Sequence, residues 1–244
     1  MNDKLEQIIE EIYKRYDSRL ASEKVLRILN RIRQGGTYRD IYEFIRALGV
    51  GDILVEFINA SDWVNNRDNY TAVAEAFLQT AKRYSSDIVD LTEIVQQTMY
   101  DNIGVGIKPA KVATDTKKLK NIISLALAED GDPTKLILDL ADFGTELTDK
   151  IIQANAEIQA ESGFKIVIIR RYDDVGIHNY ANYSDKRKAT HGAEVCQFCK
   201  EREGTYEYEE TKKNKFVYQR HPKCTCSIDY VNKGFSNRVS NYVR

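Results

Sequence analysis

Cys196-Gln-Phe-Cys199 and, after twenty-one residues, His221-Pro-Lys-Cys224-Thr-Cys226 decide how this chain is read. The 244 residues contain four cysteines and three histidines, and all four cysteines fall in these two short clusters. Two thiolates three positions apart across a tight turn can reach one ion, and a second cluster can close a tetrahedron around it. The spacing therefore predicts one structural Zn2+ ion. Five candidates compete for four positions: Cys196, Cys199, His221, Cys224 and Cys226. Cys196 and Cys199 form the first pair. Of the remaining three, the spacing favours His221 with Cys224, leaving Cys226 to support a ligand or to pack. Disulfides would leave His221 without a role, and clustered cysteines in a reducing cytoplasm more often hold metal.

Upstream, the chain reads as helix after helix. Leu5, Ile8, Ile9, Ile12, Tyr13 and Tyr16 recur at helical spacing, and Leu20, Val25, Leu26, Leu29 and Ile32 continue the pattern to Gly35-Gly36. Thr37-Tyr-Arg-Asp40 is the start of another helix, which Gly49 stops. Further helices are expected at 52–58, 70–84, 86–100, 114–128, 133–143 and 145–162, with Gly104 to Pro109 as a hinge. Asp132-Pro133 marks a helix start.

The texture changes after Gly163. Lys165 to Arg170 is a β-branched strand, and Thr205-Tyr-Glu-Tyr-Glu alternates with period two. Lys215-Phe-Val-Tyr-Gln and Ser227-Ile-Asp-Tyr-Val are two more candidate strands. The reading is an α+β protein: a helical domain over residues 1–150, then a small zinc-stapled β-rich domain over 151–244. So few short strands bury little apolar area, so the second unit needs a staple.

Composition narrows the function classes. Hydrophobic residues make up 42% and charged residues 30%, which fits a globular chain. No run of about 18 apolar residues predicts a membrane span, and the polar first residues do not read as a signal peptide. From Ala181 onward there are 13 Lys+Arg against 8 Asp+Glu, a balance of +5. Subtraction from the total of 36 against 37 leaves 23 against 29 upstream, or −6. A basic tail on an acidic body is compatible with double-stranded DNA as a partner. Lys186-Arg-Lys188 and Lys212-Lys-Asn-Lys215, among Tyr180, Tyr183, Tyr206, Tyr208 and Tyr218, would supply charge and stacking surfaces. The plainer expectation is that these tyrosines fill the sheet core.

The order of helix, glycine, strand, Cys-x-x-Cys, Gly204-Thr-Tyr206 and His-Pro-x-Cys-x-Cys resembles the C-terminal module of phage minor head proteins, the Mu F-like head morphogenesis family. The resemblance covers about residues 150–230 and includes the helix Gln153 to Gly163. The segment before Cys196 is longer than the family pattern, and Thr225 stands where arginine is usual. What the resemblance implies is a structural virion protein of the phage head, assembled in the host bacterial cytoplasm. It would act in head assembly, DNA packaging or ejection. Its helical part would dock to a portal, scaffold or major capsid protein, and no reaction is implied.

The enzymatic rival is a nuclease of the His-Asn-His type. His178-Asn179 and His191 are present without the spacing such a site needs, and Glu194 and Glu201 flank the first cysteine pair without a motif. Arg170-Arg171 before Asp173-Asp174 reads as ion pairing at a strand end, since no glycine-rich phosphate loop or catalytic triad accompanies it. Trp63 is expected to anchor a helix junction.

Overall fold

The computed structural model describes residues 3–60, 70–104, 106–171, 197–213, 215–221, 224 and 226–233. Trp63, Asp173, Asp174, His178, His191, Glu194 and Lys186 to Lys188 lie outside them, as do Tyr180, Tyr183 and Cys196. The protein is α+β, mostly helical with a small sheet near the C-terminus. Among the described residues no helix is long and apolar enough to cross a membrane.

Among the described residues seven helices precede the sheet: α1 (Asp3–Leu20), α2 (Glu23–Arg33), α3 (Tyr38–Leu48), α4 (Val50–Ala60), α5 (Tyr70–Ile103), α6 (Thr116–Ala126) and α7 (Lys135–Glu161). The glycine stops act as expected. Gly49 closes α3 with φ +55°, and Gly163 follows α7 with φ +87°. At the start of α3 the Asp40 carboxylate accepts the Thr37 N–H at 2.8 Å. Ala21-Ser22 separates α1 from α2, a break the apolar periodicity did not mark.

Two expected breaks are absent. Residues 70–84 and 86–100 form one 34-residue helix, because the Ser85 hydroxyl turns back on the Ala81 carbonyl at 2.7 Å. A serine satisfied in that way need not end a helix. Residues 133–143 and 145–162 likewise join in α7, and Gly144 lies inside it. Gly144 is there for packing: a Cβ at this position would sit 2.2 Å from the Tyr84 hydroxyl oxygen on α5. The boundary expected at residue 150 falls within α7, which runs through it unbroken.

Three antiparallel strands follow in the order β2-β1-β3: β1 (Ile166–Arg171), β2 (Gly204–Glu207) and β3 (Ser227–Asn232). Short helical turns, α8 (Gln197–Lys200) and α9 (Tyr208–Lys213), precede and follow β2. The expected strand at 215–219 is instead a 3-10 turn, Lys215–Tyr218. Its Val217 side chain is fully buried, and carbonyls from this stretch turn inward to meet Arg170.

Period two puts Ile166, Ile168 and Arg170 on one face of the central strand. Register aligns Ile168 with Tyr206 and Tyr230, and Arg170 with Gly204 and Ile228. This face packs on α3 and α7, and its apolar side chains join the helices in one continuous core. The Tyr230 and Tyr38 rings lie 5.8 Å apart. Buried hydrogen bonds reinforce the contact: Gln159 Nε2 donates to the Tyr230 hydroxyl at 2.9 Å, which donates to Gln96 Oε1 at 2.6 Å. Tyr38 donates to the same Gln96 oxygen. These bonds tie β3 to α3, α5 and α7, so the sheet's position against the helices is specified as well as buried.

Candidate metal centre

Cys199 belongs to the turn α8, and Cys224 and Cys226 lead into β3. All three are buried and none is in a disulfide. Their sulfurs lie within 4.8 Å of one another, with Cys199 and Cys224 at 3.7 Å. A tetrahedral site with metal–sulfur bonds of about 2.3 Å has a sulfur–sulfur edge of about 3.8 Å. The cluster is thus already near the size of a thiolate cage, and it could hold a metal ion.

His221 is adjacent, with Nε2 3.0 Å from the Cys199 sulfur. The Cys224 N–H donates to the His221 carbonyl at 3.2 Å, which closes the turn between them. Phe198 packs edge-on against the His221 ring at 5.4 Å, and the Arg202 guanidinium covers Phe198 at 3.5 Å from its centroid. The stack restricts the imidazole to one side of the cluster. The spacing argument set Cys226 apart from the ligands; the structure instead places its sulfur with those of Cys199 and Cys224. The partner cysteine of the first pair, Cys196, lies outside the described residues.

Around the sulfurs is a charged layer that the sequence reading missed. Arg170, 1% exposed, donates through Nη1 to the carbonyls of Val217 and Gln219 at 2.6 and 2.7 Å. Its Nη2 donates to the Cys224 sulfur at 3.6 Å. Arg220 approaches the same sulfur at 3.5 Å through Nη1, which also donates to the Cys226 carbonyl at 2.7 Å. The other side of Arg220 grips Asp149 on α7, with Nε to Oδ2 at 2.5 Å and Nη2 to Oδ1 at 2.8 Å. The Tyr42 hydroxyl donates to Asp149 Oδ1 at 2.6 Å. A fork with both carboxylate oxygens engaged is the strong geometry for an arginine pair. The ion pairing expected between Arg170-Arg171 and Asp173-Asp174 involves carboxylates outside the described residues; among the described residues Arg170 points into the core toward sulfur and carbonyl oxygen, and Arg171 lies 3.9 Å from Asp229.

The electrostatics follow from these contacts. Burial alone would disfavour the Arg220 cation, but Asp149 outweighs it and holds the guanidinium pKa well above its ordinary value. Among the thiols, hydrogen bonds from Cys199 and Cys226 push Cys224 strongly down, and Arg220 adds to the effect. Sharing a proton with Cys224 pushes Cys199 up. Both Arg170 and Arg220 face the Cys224 sulfur, and a cation beside a thiol favours the thiolate, the form that binds metal.

Other expected features are placed elsewhere. Tyr208 is buried, and Tyr206 and Tyr218 pack against the core, so these rings are used in packing. Lys212 pairs with Glu209 at 3.4 Å and lies over the Tyr208 ring. Glu201 is exposed, 3.8 Å from Arg202. No protein-family profile, curated protein or solved structure matches this chain.

Proposed function

We propose that this chain is a structural, metal-stapled protein rather than an enzyme, and that the staple is one zinc ion. Within that class, it is a minor head protein of a tailed phage, of the Mu F-like head morphogenesis kind. The zinc reading is supported by the donor set: buried sulfurs at tetrahedral spacing beside an imidazole suit a borderline-soft divalent ion. Cys199, Cys224 and Cys226 would hold it, with His221 or Cys196 as the fourth ligand. One observation carries the structural role. The buried carboxylate beside the cluster, Asp149, is engaged on both oxygens by Arg220 and Tyr42. A hydrolytic metal site needs a carboxylate or histidine presented to an open coordination position. Among the described residues the neighbouring polar groups support sulfur and backbone instead.

The assignment to the phage head rests on the order of the C-terminal motifs in the sequence. The continuous core fits it, since a terminal module fused to a helical body could carry load between a portal or shell and the packaged DNA. Two measurements test the reading. Elemental analysis of the purified full chain is expected to find one zinc per protein. Co-purification with a phage portal ring, and detection in mature virions, is expected to place it in the head. Zinc-free protein that is fully folded, or divalent-metal-dependent cleavage of plasmid DNA, would overturn it.

A further inference from the structure

The cysteine module is not the only part of the chain that meets the sulfur cluster. Asp149 is separated in sequence by 71 residues from Arg220, yet the two are joined by a two-point ion pair that is almost fully buried. Arg220 in turn spans from that carboxylate to the Cys224 sulfur and the Cys226 carbonyl. Asp149 is fixed from a second side by Tyr42 of α3. The formal charges are matched as well. With the neutral His221 imidazole as the fourth ligand, a divalent ion with three thiolates carries one negative charge, and Arg170, Arg220 and Asp149 together carry one positive charge. A buried site is stable when such charges cancel locally.

From this geometry we infer that the helical body takes part in holding the metal: Asp149, acting through Arg220, is a positioning residue for the Cys224 ligand. The inference rests on the zinc reading above and extends it. The metal affinity is then set partly by α7 and α3, outside the cysteine clusters. By linkage, metal binding strengthens the docking of the sheet on those helices to the same degree. The metal thus reports on whether the module is seated on its body.

Asp149→Asn keeps the shape of the side chain and removes its charge. Arg220 then loses its fixed orientation, Cys224 loses a hydrogen-bond donor, and an uncompensated cation remains beside the metal. Both effects weaken metal binding, on the order of 10-fold, the usual scale for groups that support metal ligands. Arg220→Lys keeps the charge but cannot span both partners, and is expected to fall between wild type and Asp149→Asn. Thr148→Val is the control: Thr148 is fully buried one residue away on α7, and its hydroxyl bonds only locally, to the Gly144 carbonyl at 2.9 Å.

The experiment is chelator competition with zinc on the full-length proteins, repeated with cobalt to follow the thiolate-to-cobalt charge-transfer band. A sulfur that loses a hydrogen bond donates more strongly, so Asp149→Asn should move this band to lower energy while Thr148→Val leaves it in place. A merely structural role for Asp149 would lower affinity without moving the band. Wild-type affinity and spectrum in Asp149→Asn, or equal losses in Thr148→Val, would overturn the inference. Wild-type protein that takes up no metal would instead sink the zinc reading itself, before any variant is compared.

Discussion

Asp229→Asn is expected to stabilise the protein near pH 8 and to give no benefit near pH 4. Asp229 lies on β3 opposite Ile169 and is 8% exposed. It accepts the Tyr230 N–H at 2.9 Å, but its arginine partner, Arg171, is 3.9 Å away. Burial lifts its pKa from 3.8 to about 6, with Arg171 and the backbone N–H pulling against it. A carboxyl whose folded pKa lies above its unfolded value favours folding in its protonated form. That contribution is complete below about pH 3.8 and is lost as pH rises through about 6. At neutral pH the ionised group therefore costs about 3 kcal/mol relative to its protonated state. Asparagine keeps the acceptor and never ionises, though it gives up the weak attraction of Arg171 and brings an amide that needs a partner, together about 1 kcal/mol. The net gain near pH 8 is about 1–2 kcal/mol, a rise of a few degrees in Tm. Urea unfolding of both proteins across this pH range, with metal in excess, measures the difference. Acid release of metal affects both equally and cancels. A difference that does not change with pH would refute the argument, as would an asparagine variant that is less stable near pH 8.

Other consequences can be checked independently. Exhaustive chelation should lower Tm, since an ion at a thousandfold its Kd contributes about 4 kcal/mol; hydrogen exchange should rise first in β3 and around His221, while α1 and α5 stay protected. Gly51→Ala should destabilise by about 1–3 kcal/mol in denaturant titration. Its Cβ would lie 2.3 Å from Ile137 Cα, a backbone atom that cannot rotate away, and this outweighs the gain of about 1 kcal/mol in helix propensity. Tyr42→Phe removes the hydroxyl that holds Asp149 but leaves its ring beneath Arg220, and should cost about 1.5–3 kcal/mol of unfolding free energy. Its effect on metal affinity should be smaller than that of Asp149→Asn, because the Arg220 fork remains.

Local chemistry made much of the fold readable in advance. Apolar spacing marks α1 and α2 as one run and α3, α4 and α6 singly, and Gly35, Gly49, Gly104 and Gly163 interrupt the helices because each adopts positive φ. A β-branched run marks β1, and alternation marks β2 because a half-buried strand sorts its residues by face. The cysteine and histidine spacing pointed to a metal cluster, since ligands of one ion must lie close and short spacings guarantee this within each pair. A further signal was available. Arg170 shares a face with Ile166 and Ile168, and Asp149, Asn155 and Gln159 fall among the buried positions of α7. Charge or amide on an apolar stripe implies a partner on another element.

Which partner was a matter of tertiary structure. Gly144 reads locally as a helix stop, yet the Tyr84 hydroxyl that needs its empty space comes from α5. Arg170 reads as an ion pair at a strand end and nothing local singles out Arg220, yet strand register and the turn at 215–221 bring both to Cys224. Sequence by itself marked most of the elements and the candidate ligands, because those depend on neighbours within a few residues. Folding decided which sulfurs meet, which charges are buried with them and how α7 joins the site, because these depend on contacts between segments that have no fixed separation along the chain.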